Sequence, residues 1–159
     1  MKLSTKGRHA ITAMMELALR HNKGPVTLAD ISAEQSISVS YLEQLFARLR
    51  NQGLVTGMRG PGGGYRLSRD ANQIAVADVI TAVDEKVETT RCGGLSNCQD
   101  DQQCLTHELW TELSGQIHQF LMGISLGQLV EHKGVQEVAA RQERVQQQIQ
   151  YQPPKVESA

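Results

Sequence analysis

Long apolar runs are missing from this sequence. The best candidate, residues 10–19, contains Glu16 and ends before Arg20, whereas a membrane-spanning helix needs about 20 consecutive apolar residues. The basic residues near the start of the chain are not followed by the apolar segment of a secretory signal. Both absences predict a cytoplasmic protein with no membrane partner. At 159 residues without internal repeats, the chain is also too short for a large multidomain enzyme.

Cysteine is scarce, and the number of cysteines is odd. All three, Cys92, Cys98 and Cys104, fall within thirteen residues of the chain. An odd number in a cytosolic protein argues against a framework of disulfides and favours a metal-binding or redox role.

The net charge is only −1, but its distribution along the chain is uneven. Residues 1–66 contain nine Lys and Arg against four Asp and Glu, a net charge of +5. The remaining residues contain seven basic and thirteen acidic side chains, a net charge of −6. This asymmetry predicts a front part that binds a polyanion and a back part with a different task.

Three helices are predicted in the front part. Ser4, Thr27 and Ser38 are each placed to cap the start of a helix, and Gly53 ends the third helix. A short helix, a brief turn and a longer helix predict a helix-turn-helix over about residues 28–51. The longer helix carries apolar residues at the spacing of one face, namely Leu42, Leu45, Phe46 and Leu49.

A glycine-rich tip between two short apolar segments predicts a β-hairpin over about residues 54–67. After a helix-turn-helix, such a hairpin is typical of a winged helix, and residues 1–66 are assigned to a DNA-binding domain. The alternative, a nucleotide-binding loop, lacks the Gly-Lys-Ser/Thr ending and the strand–loop–helix context. The expected fold class is therefore mainly α with a small β wing.

The face of the third helix opposite its apolar residues is predicted to read bases. Gln44 can pair with adenine, whereas Glu43 is tolerated near phosphates only where a cytosine amino group donates to it. Arg59 of the wing can enter a narrow minor groove, and its glycines allow a close approach to DNA. The alternatives are a solvated helix face and a plain flexible hairpin. The predicted DNA-contacting residues are Ser38, Ser40, Tyr41, Glu43, Gln44, Arg48, Arg59, Gly60, Pro61, Gly62, Gly63 and Gly64.

Residues 67–133 are predicted to contain a metal centre and a long helix. The spacing Cys92-x5-Cys98-x5-Cys104-x2-His107 offers three thiolates and an imidazole, a complete set of four ligands. Zinc or an iron–sulfur cluster can take such a set. The cysteines of structural zinc sites are usually paired at short spacings, so the two equal x5 spacings favour a cluster. Zinc remains the alternative.

Apolar residues at steps of three and four predict the long helix. A narrow stripe on so small a chain favours a two-fold dimer in which two copies bury it against each other. The alternative is a core helix packed within its own domain. The predicted dimerisation residues are Leu105, Leu109, Leu113, Ile117, Phe120 and Leu121. After residue 133 the chain becomes Gln-rich, and we expect residues 134–159 to form a fraying helix or a disordered tail.

Three separate motifs resemble the IscR family of bacterial iron–sulfur cluster regulators. They are residues 38–46, residues 59–65 and the set from Cys92 to His107, and the resemblance covers about residues 1–131. It implies a winged-helix homodimer that holds one 2Fe–2S cluster per subunit through Cys92, Cys98, Cys104 and His107. It also implies repression of the cluster-assembly operon by the loaded form, while the cluster-free form binds a second class of promoters. The scaffold protein of that machinery is the expected cluster donor.

Two other classes of function remain open from the residues alone. A zinc-stabilised winged-helix regulator would use the same four ligands without sensing a cluster. An iron–sulfur electron carrier or a cysteine-dependent enzyme would leave the basic helix-turn-helix unexplained, and no general base is paired with a nucleophile. We therefore expect a transcription factor that is not an enzyme.

Overall fold

The computed structural model describes residues 4–83 and 86–151. Within these residues it has seven α-helices and one β-hairpin, which confirms the expected fold class, mainly α with a small β wing. Two short 3-10 turns, at His21–Lys23 and Ala71–Gln73, lie between the longer elements. In chain order the elements are α1 (Thr5–Leu19), α2 (Leu28–Gln35), α3 (Val39–Asn51), β1 (Val55–Met58), β2 (Gly64–Leu67), α4 (Val76–Ala82), α5 (His107–Met122), α6 (Leu126–Glu131) and α7 (Lys133–Gln150).

The predicted caps start the first three helices. The hydroxyl of Ser4 accepts from the backbone N–H of Lys6 at 3.2 Å, and that of Thr27 accepts from the N–H of Asp30 at 3.1 Å. The Ser38 hydroxyl accepts from the N–H of Tyr41 at 3.3 Å. Each cap satisfies a backbone donor that has no partner inside its helix. Local sequence therefore sets where the helix-turn-helix begins.

One apolar core joins α1, α2, α3 and α4. The inward faces of these helices are close to fully buried, with Phe46 of α3 at 0% exposure and its ring centroid 4.7 Å from that of Tyr65. Leu126 of α6 completes the core from the far end of the chain. Its N–H donates to the carbonyl of Ile74 at 2.9 Å. The front part thus forms a packed domain that the start of α6 helps to close.

The hairpin is fixed to the rest of the front part by a backbone connection. Its strands pair antiparallel, with Val55 opposite Leu67 and Met58 opposite Gly64. Beyond this pairing, Val26 and Tyr65 exchange two backbone hydrogen bonds of 2.8 and 2.7 Å. Val26 precedes α2, so the wing is anchored beside the start of the helix-turn-helix.

Up to Gln150 the C-terminal segment is helical, which agrees with the helical alternative of the prediction and not with a disordered tail. The structure has the continuous helix α7 from Lys133 to Gln150, and the rest of the predicted tail, residues 152–159, lies outside the described residues. Gln, Glu, Ala and Arg favour helix, and long-range contacts hold this helix in place. They are an ion pair of Lys23 with Glu143 at 3.2 Å, a hydrogen bond of 3.0 Å from Gln35 to Gln142, and one of 3.2 Å from Gln146 to the carbonyl of Ala33.

Among the described residues, no helix combines the length and the apolar character that crossing a bilayer requires.

Candidate metal centre and nucleic-acid interface

Helix α3 presents a polar face to solvent. Ser40, Glu43, Gln44 and Arg48 are exposed, and the opposite face with its four large apolar residues is buried. Ser38 is exposed at the start of the helix, where its hydroxyl is engaged as the cap. The structure therefore brings these predicted DNA-contacting residues to one accessible surface.

Tyr41 differs from the other predicted members of this face because it is half-buried and packs against the apolar core. Its ring stands edge-on to the ring of His9 in α1, with 5.6 Å between the centroids. His9 was not predicted from sequence, and no local pattern connects two residues so far apart in the chain. This contact with His9 constrains the orientation of the Tyr41 ring relative to the surface of α3.

The glycine-rich tip of the wing divides into two parts. Arg59, Gly60, Pro61 and Gly62 are exposed, and both of these glycines have positive φ, 93° and 71°. Gly63 and Gly64 are half-buried instead. A Cβ atom on Gly64 would lie 2.5 Å from the carbonyl oxygen of Val26. Gly64 is thus required by the close backbone pairing of the wing, in addition to any role at DNA.

Three of the four predicted metal ligands converge. The candidate ligand atoms of Cys92, Cys98 and His107 all lie within 4.8 Å of one another. The Nδ1 atom of His107 is 3.5 Å from the Cys92 sulfur and 3.6 Å from the Cys98 sulfur. These residues come from the loop before α5 and from the first turn of that helix.

Cys104 lies beside this group, close to Cys98. Its backbone N–H donates to the Cys98 sulfur at 3.1 Å. The interaction between the two thiols raises the pKa of Cys98 and lowers the pKa of Cys104. Helix α5 begins at His107, so Cys104 lies in the loop before the helix.

A tight reversal of the chain brings Cys98 and Cys104 together. Gln99 and Gln102 exchange two backbone hydrogen bonds of 3.0 and 2.8 Å. The two residues between them, Asp100 and Asp101, have φ values of 48° and 61°. Two central residues with positive φ are the requirement of a type I′ turn, which usually favours Asn and Gly. The x5 spacing between the two cysteines therefore encloses a turn that composition alone does not reveal.

Backbone N–H groups surround the sulfur of Cys92. Partial burial acts to raise the pKa of this thiol, but hydrogen bonds from the N–H groups of Ser96, Gly94 and Asn97 outweigh it. The pKa of Cys92 is lowered to about 6. A thiolate is the form that binds metals, so this loop favours the ligand form of Cys92 near neutral pH.

His107 is held with one ring nitrogen toward the sulfurs and the other toward hydroxyl groups. The side chain is buried, at 6% exposure. Its Nε2 atom lies 3.3 Å from the hydroxyl of Ser96 and 3.2 Å from that of Thr111. Metal-binding histidines usually donate their second ring N–H to an oxygen acceptor such as a carboxylate, a carbonyl or water, and hydroxyl oxygens take this position here. Thr111 stands four residues after His107, a spacing that could have identified it from sequence, whereas Ser96 carries no such signal.

The donor set fits a soft metal centre. Three thiols and an imidazole are ligands of zinc and of iron–sulfur clusters, and they do not suit calcium or magnesium, which take oxygen ligands. A cavity of about 450 Å³ opens beside Cys98, Cys104 and His107 and extends to Trp110 and Leu113. The residues present can therefore hold either a zinc ion or a cluster.

The predicted dimerisation stripe is only partly continuous on α5. Leu105 is fully exposed but precedes the helix, so it does not belong to the helical face. Leu109 and Phe120 are 57% and 66% exposed in the single chain. Leu113, Ile117 and Leu121 are half-buried. The exposed pair lies on one face because eleven residues of an α-helix return to within about 20° of the same direction.

A family model described as "Rrf2: Iron-dependent Transcriptional regulator" matches residues 3–132. The chain belongs to the Rrf2 family. This assignment confirms the resemblance to IscR-type regulators and the expectation that the chain is not an enzyme. As a winged-helix transcription regulator, this Rrf2 member binds DNA. Helix α7 begins at Lys133 and lies outside the matched residues.

Curated relatives carry the name HTH-type transcriptional regulator IscR. The relative from Photobacterium profundum is 57% identical over 145 residues, which cover 91% of this chain and 84% of its own. The relative from an Escherichia coli O1:K1 strain is 56% identical over 142 residues, covering 89% and 88% of the two chains. Both similarities extend over nearly the whole length of the relative.

Solved structures of Rrf2-type regulators share the fold. The cysteine regulator CymR of B. subtilis is 34% identical, with a TM-score of 0.71 over 81% of this chain and 95% of its own. The IscR of T. potens is also 34% identical, with a TM-score of 0.68 over 82% and 87% of the two chains.

Proposed function

We propose that this Rrf2 protein is an iron–sulfur-sensing transcription factor that works as a homodimer. In this proposal Cys92, Cys98, Cys104 and His107 hold one 2Fe–2S cluster in each subunit. The observation that carries the proposal is the convergence of the Cys92, Cys98 and His107 donor atoms within 4.8 Å. The family description "Iron-dependent" and the IscR name of the curated relatives agree with it.

The chain's own residues prepare this site for a soft metal. Backbone N–H groups favour the thiolate of Cys92, and the hydroxyls of Ser96 and Thr111 leave Nδ1 of His107 facing the sulfurs. The type I′ turn at Asp100–Asp101 returns Cys104 to Cys98. When bound, a cluster would supply an oxidation- and iron-sensitive crosslink between this loop and α5.

DNA recognition is proposed for α3 and the wing. The exposed residues Ser40, Glu43, Gln44 and Arg48 offer donors and acceptors for base edges and phosphates. Arg59 at the wing tip offers a cation for a narrow minor groove. In a dimer the two α3 helices must be about 34 Å apart to enter successive major grooves on one side of DNA, so any change at the dimer helix changes which sequences bind well.

The regulatory consequence follows from the cluster supply of the cell. We propose that the loaded form represses the cluster-assembly operon and that the cluster-free form still regulates a second class of promoters. The scaffold protein of cluster assembly is the proposed cluster donor. When demand for clusters rises, fewer dimers are loaded and the operon is transcribed.

Anaerobic purification tests the proposal directly. The full-length protein should be coloured, with the visible absorption of a 2Fe–2S cluster and about two iron and two sulfide per subunit. Cys92→Ala, Cys98→Ala and Cys104→Ala should each abolish this absorption. His107→Ala should weaken retention, because three thiolates remain in place. A variant lacking all three cysteines that still carried stoichiometric iron and sulfide would refute the ligand assignment.

Zinc is the second candidate, because three N and S donors within 4.8 Å also suit a single tetrahedral ion. A colourless anaerobic preparation with one zinc per subunit by elemental analysis would favour a zinc-stabilised regulator without cluster sensing. If operator binding then stayed unchanged after removal of the zinc from a protein that remains folded, the metal site would have no role in sensing.

A further inference from the structure

The segment that leads into the ligand loop is attached to α5 by a compact hydrogen-bonding network. Its members are Glu88, Thr89, Thr90 and Ser114, here named the Glu88 clip. One oxygen of Glu88, Oε1, accepts from the backbone N–H groups of Thr89 and Thr90, both at 3.0 Å. The same oxygen accepts from the hydroxyls of Thr90 and Ser114, both at 2.8 Å. A single carboxylate oxygen therefore joins the loop entry to the middle of α5.

Two further hydrogen bonds join Thr89 of this segment to residues of α5. The N–H of Thr89 donates to the Ser114 hydroxyl at 3.0 Å, and the Thr89 hydroxyl donates to the carbonyl of Trp110 at 2.6 Å. The hydrogen bonds to Glu88 lower the pKa of its carboxyl to about 2, so the side chain is ionised at any working pH. Hydrogen bonds to a charged acceptor are the stronger class.

The clip continues into the ligand loop through Thr90. The Thr90 hydroxyl accepts from the N–H of Gly94 at 2.9 Å. That N–H is also one of the groups that stabilise the Cys92 thiolate. A continuous path of hydrogen bonds thus runs from Ser114 through Glu88 and Thr90 to the backbone around Cys92.

Helix α5 receives the ligand loop on one face and is exposed on the opposite face. His107, Thr111 and Ser114 stand four and three residues apart, so they share the face that contacts the loop. Leu109 and Phe120 lie more than a third of a turn away on the exposed apolar side. Because the helix is rigid, a displacement of the face that contacts the loop also displaces the proposed dimer face.

We infer that the Glu88 clip couples metal occupancy of the ligand loop to the position of α5, with Glu88 as the positioning residue. The inference rests on the proposed function, since it assigns a route for the signal from that same site. His107 holds the loop to α5 at the first turn of the helix, and Ser114 holds it two turns further on. The loop is therefore joined to α5 at two levels of the helix, in addition to the packing of α5 against α4.

The first arm of the test uses the metal-free protein and residue-resolved amide hydrogen exchange. Glu88→Ala should speed exchange of the Thr90 amide by about tenfold, the lower end expected for a hydrogen bond to a charged but solvent-exposed acceptor, whereas the Thr89 amide keeps its hydrogen bond to the Ser114 hydroxyl. Glu88→Gln should restore slow exchange, because the amide oxygen can accept the same bonds. Glu112→Ala removes a carboxylate of α5 outside the clip and serves as the matched control. Wild-type exchange in Glu88→Ala would overturn the inference.

The second arm uses protein reconstituted anaerobically with ferrous iron and sulfide. In the wild type, loading should slow exchange both in the ligand loop and in α5 beyond Ser114. Ser114→Ala keeps the ligands and the Glu88–Thr90 contacts, so its loop should gain the same protection. Its helix beyond residue 114 should gain at most a third of the wild-type protection. Iron release to a chelator should be about tenfold faster in Glu88→Ala, the lower end for residues that orient metal ligands.

The outcomes separate the two claims. Equal gains of α5 protection in wild type and Ser114→Ala, with both proteins loaded, would overturn the coupling and leave the cluster proposal standing. A wild-type protein that takes up no iron and sulfide would overturn the proposed function and the coupling with it.

Discussion

The front and back parts of this molecule are built by different means. The front part, which in the structure extends beyond residue 66 to include α4, is closed by an apolar core in which Phe46, Leu42 and Ile74 are fully buried. In α5, His107 is the sole residue of the helix that is buried, and in α7 none is. What holds the ligand loop and α5 together in a single chain is hydrogen bonding around His107 and Glu88.

This difference separates a core that is closed within a single chain, with the help of Leu126 from α6, from a part that is completed by what it binds. Burying a large apolar side chain stabilises a fold by about 1.5–3 kcal/mol relative to leaving it exposed. The front part has this stabilisation within one chain. In the back part Leu109 and Phe120 remain exposed, and the candidate metal ligands face one another. A metal centre and a second subunit would supply the missing stabilisation there.

The largest effect should come from charging the exposed face of α5. Leu109→Asp together with Phe120→Asp should abolish the dimer, because unpaired carboxylates would have to be buried at a cost of several kcal/mol each. Both positions are exposed in the single chain, so the monomer should keep its helical content and its thermal unfolding. Sedimentation velocity and circular dichroism would measure the two properties. Gln119→Asp, on another side of α5, with Gln147→Asp at an exposed position of α7 is the control for two added charges, and an intact dimer in the apolar double variant would place the interface elsewhere.

The two phenylalanines compare the parts directly. Phe46→Ala should reduce the free energy of unfolding by about 3–5 kcal/mol, since the side chain is fully buried and leaves a cavity. Phe120→Ala should change unfolding of the isolated subunit by less than about 0.5 kcal/mol, because its ring is exposed. Urea unfolding at low protein concentration would report both values. Similar reductions in the two variants would mean that α5 is packed within its own subunit.

Much of the front part could be predicted because its signals are local. Caps such as Thr27 lie three residues from the group they bind, and the apolar face of α3 repeats at helical spacing. The wing followed from two apolar segments around a glycine-rich tip. The bridge from Val26 to Tyr65 could not be predicted, since it joins residues distant in sequence through backbone atoms that carry no side-chain pattern.

The candidate metal ligands could be identified from their spacing, but the residues around them could not. The turn at Asp100–Asp101 lacks the glycine that usually marks positive φ. Glu88 and Ser114 meet across twenty-six residues, and neither is unusual in a polar sequence. Helix α7 was expected as a fraying helix or tail because its contacts with Lys23, Gln35 and Ala33 are long-range. In both parts of the molecule, the polar contacts between residues distant in sequence could not be predicted from the sequence.

A smaller effect separates base reading from general attraction on the DNA-binding side. Gln44→Ala should cost about 1–3 kcal/mol on the operator and change binding to scrambled DNA little, because its amide can pair with an adenine edge. Arg59→Ala should weaken both and lower the salt slope by about 0.9 for each phosphate that the arginine neutralises. Binding titrations at several salt concentrations measure these quantities. Equal reductions of affinity for operator and scrambled DNA in Gln44→Ala would show that this residue does not read bases.

The smallest effect concerns Glu43, a residue of the front part whose contribution to DNA binding should depend on cluster loading in the back part. Glu43 is an exposed carboxylate on the face of α3 that carries Gln44 and Arg48. In the negative potential of DNA it is unfavourable unless a cytosine amino group donates to it. A penalty of about 1 kcal/mol would lower affinity roughly fivefold at sites without a suitable cytosine. Sites that tolerate the carboxylate would then be bound without a cluster, whereas other sites would need the added ordering of the loaded dimer.

Glu43→Ala should therefore let the cluster-free protein bind operators that the wild type binds only when loaded. The measurement is a titration of cluster-free wild type and cluster-free Glu43→Ala on promoters of both classes, with Glu137→Ala as the control for removal of an exposed carboxylate away from α3. The variant should gain affinity for the cluster-dependent class and little for the other, because only the former carries the carboxylate penalty. An unchanged preference would make Glu43 a solvated residue of the helix margin. Discrimination between promoters would then have to arise from the position of α3 in the dimer, and so from the ligand loop and α5.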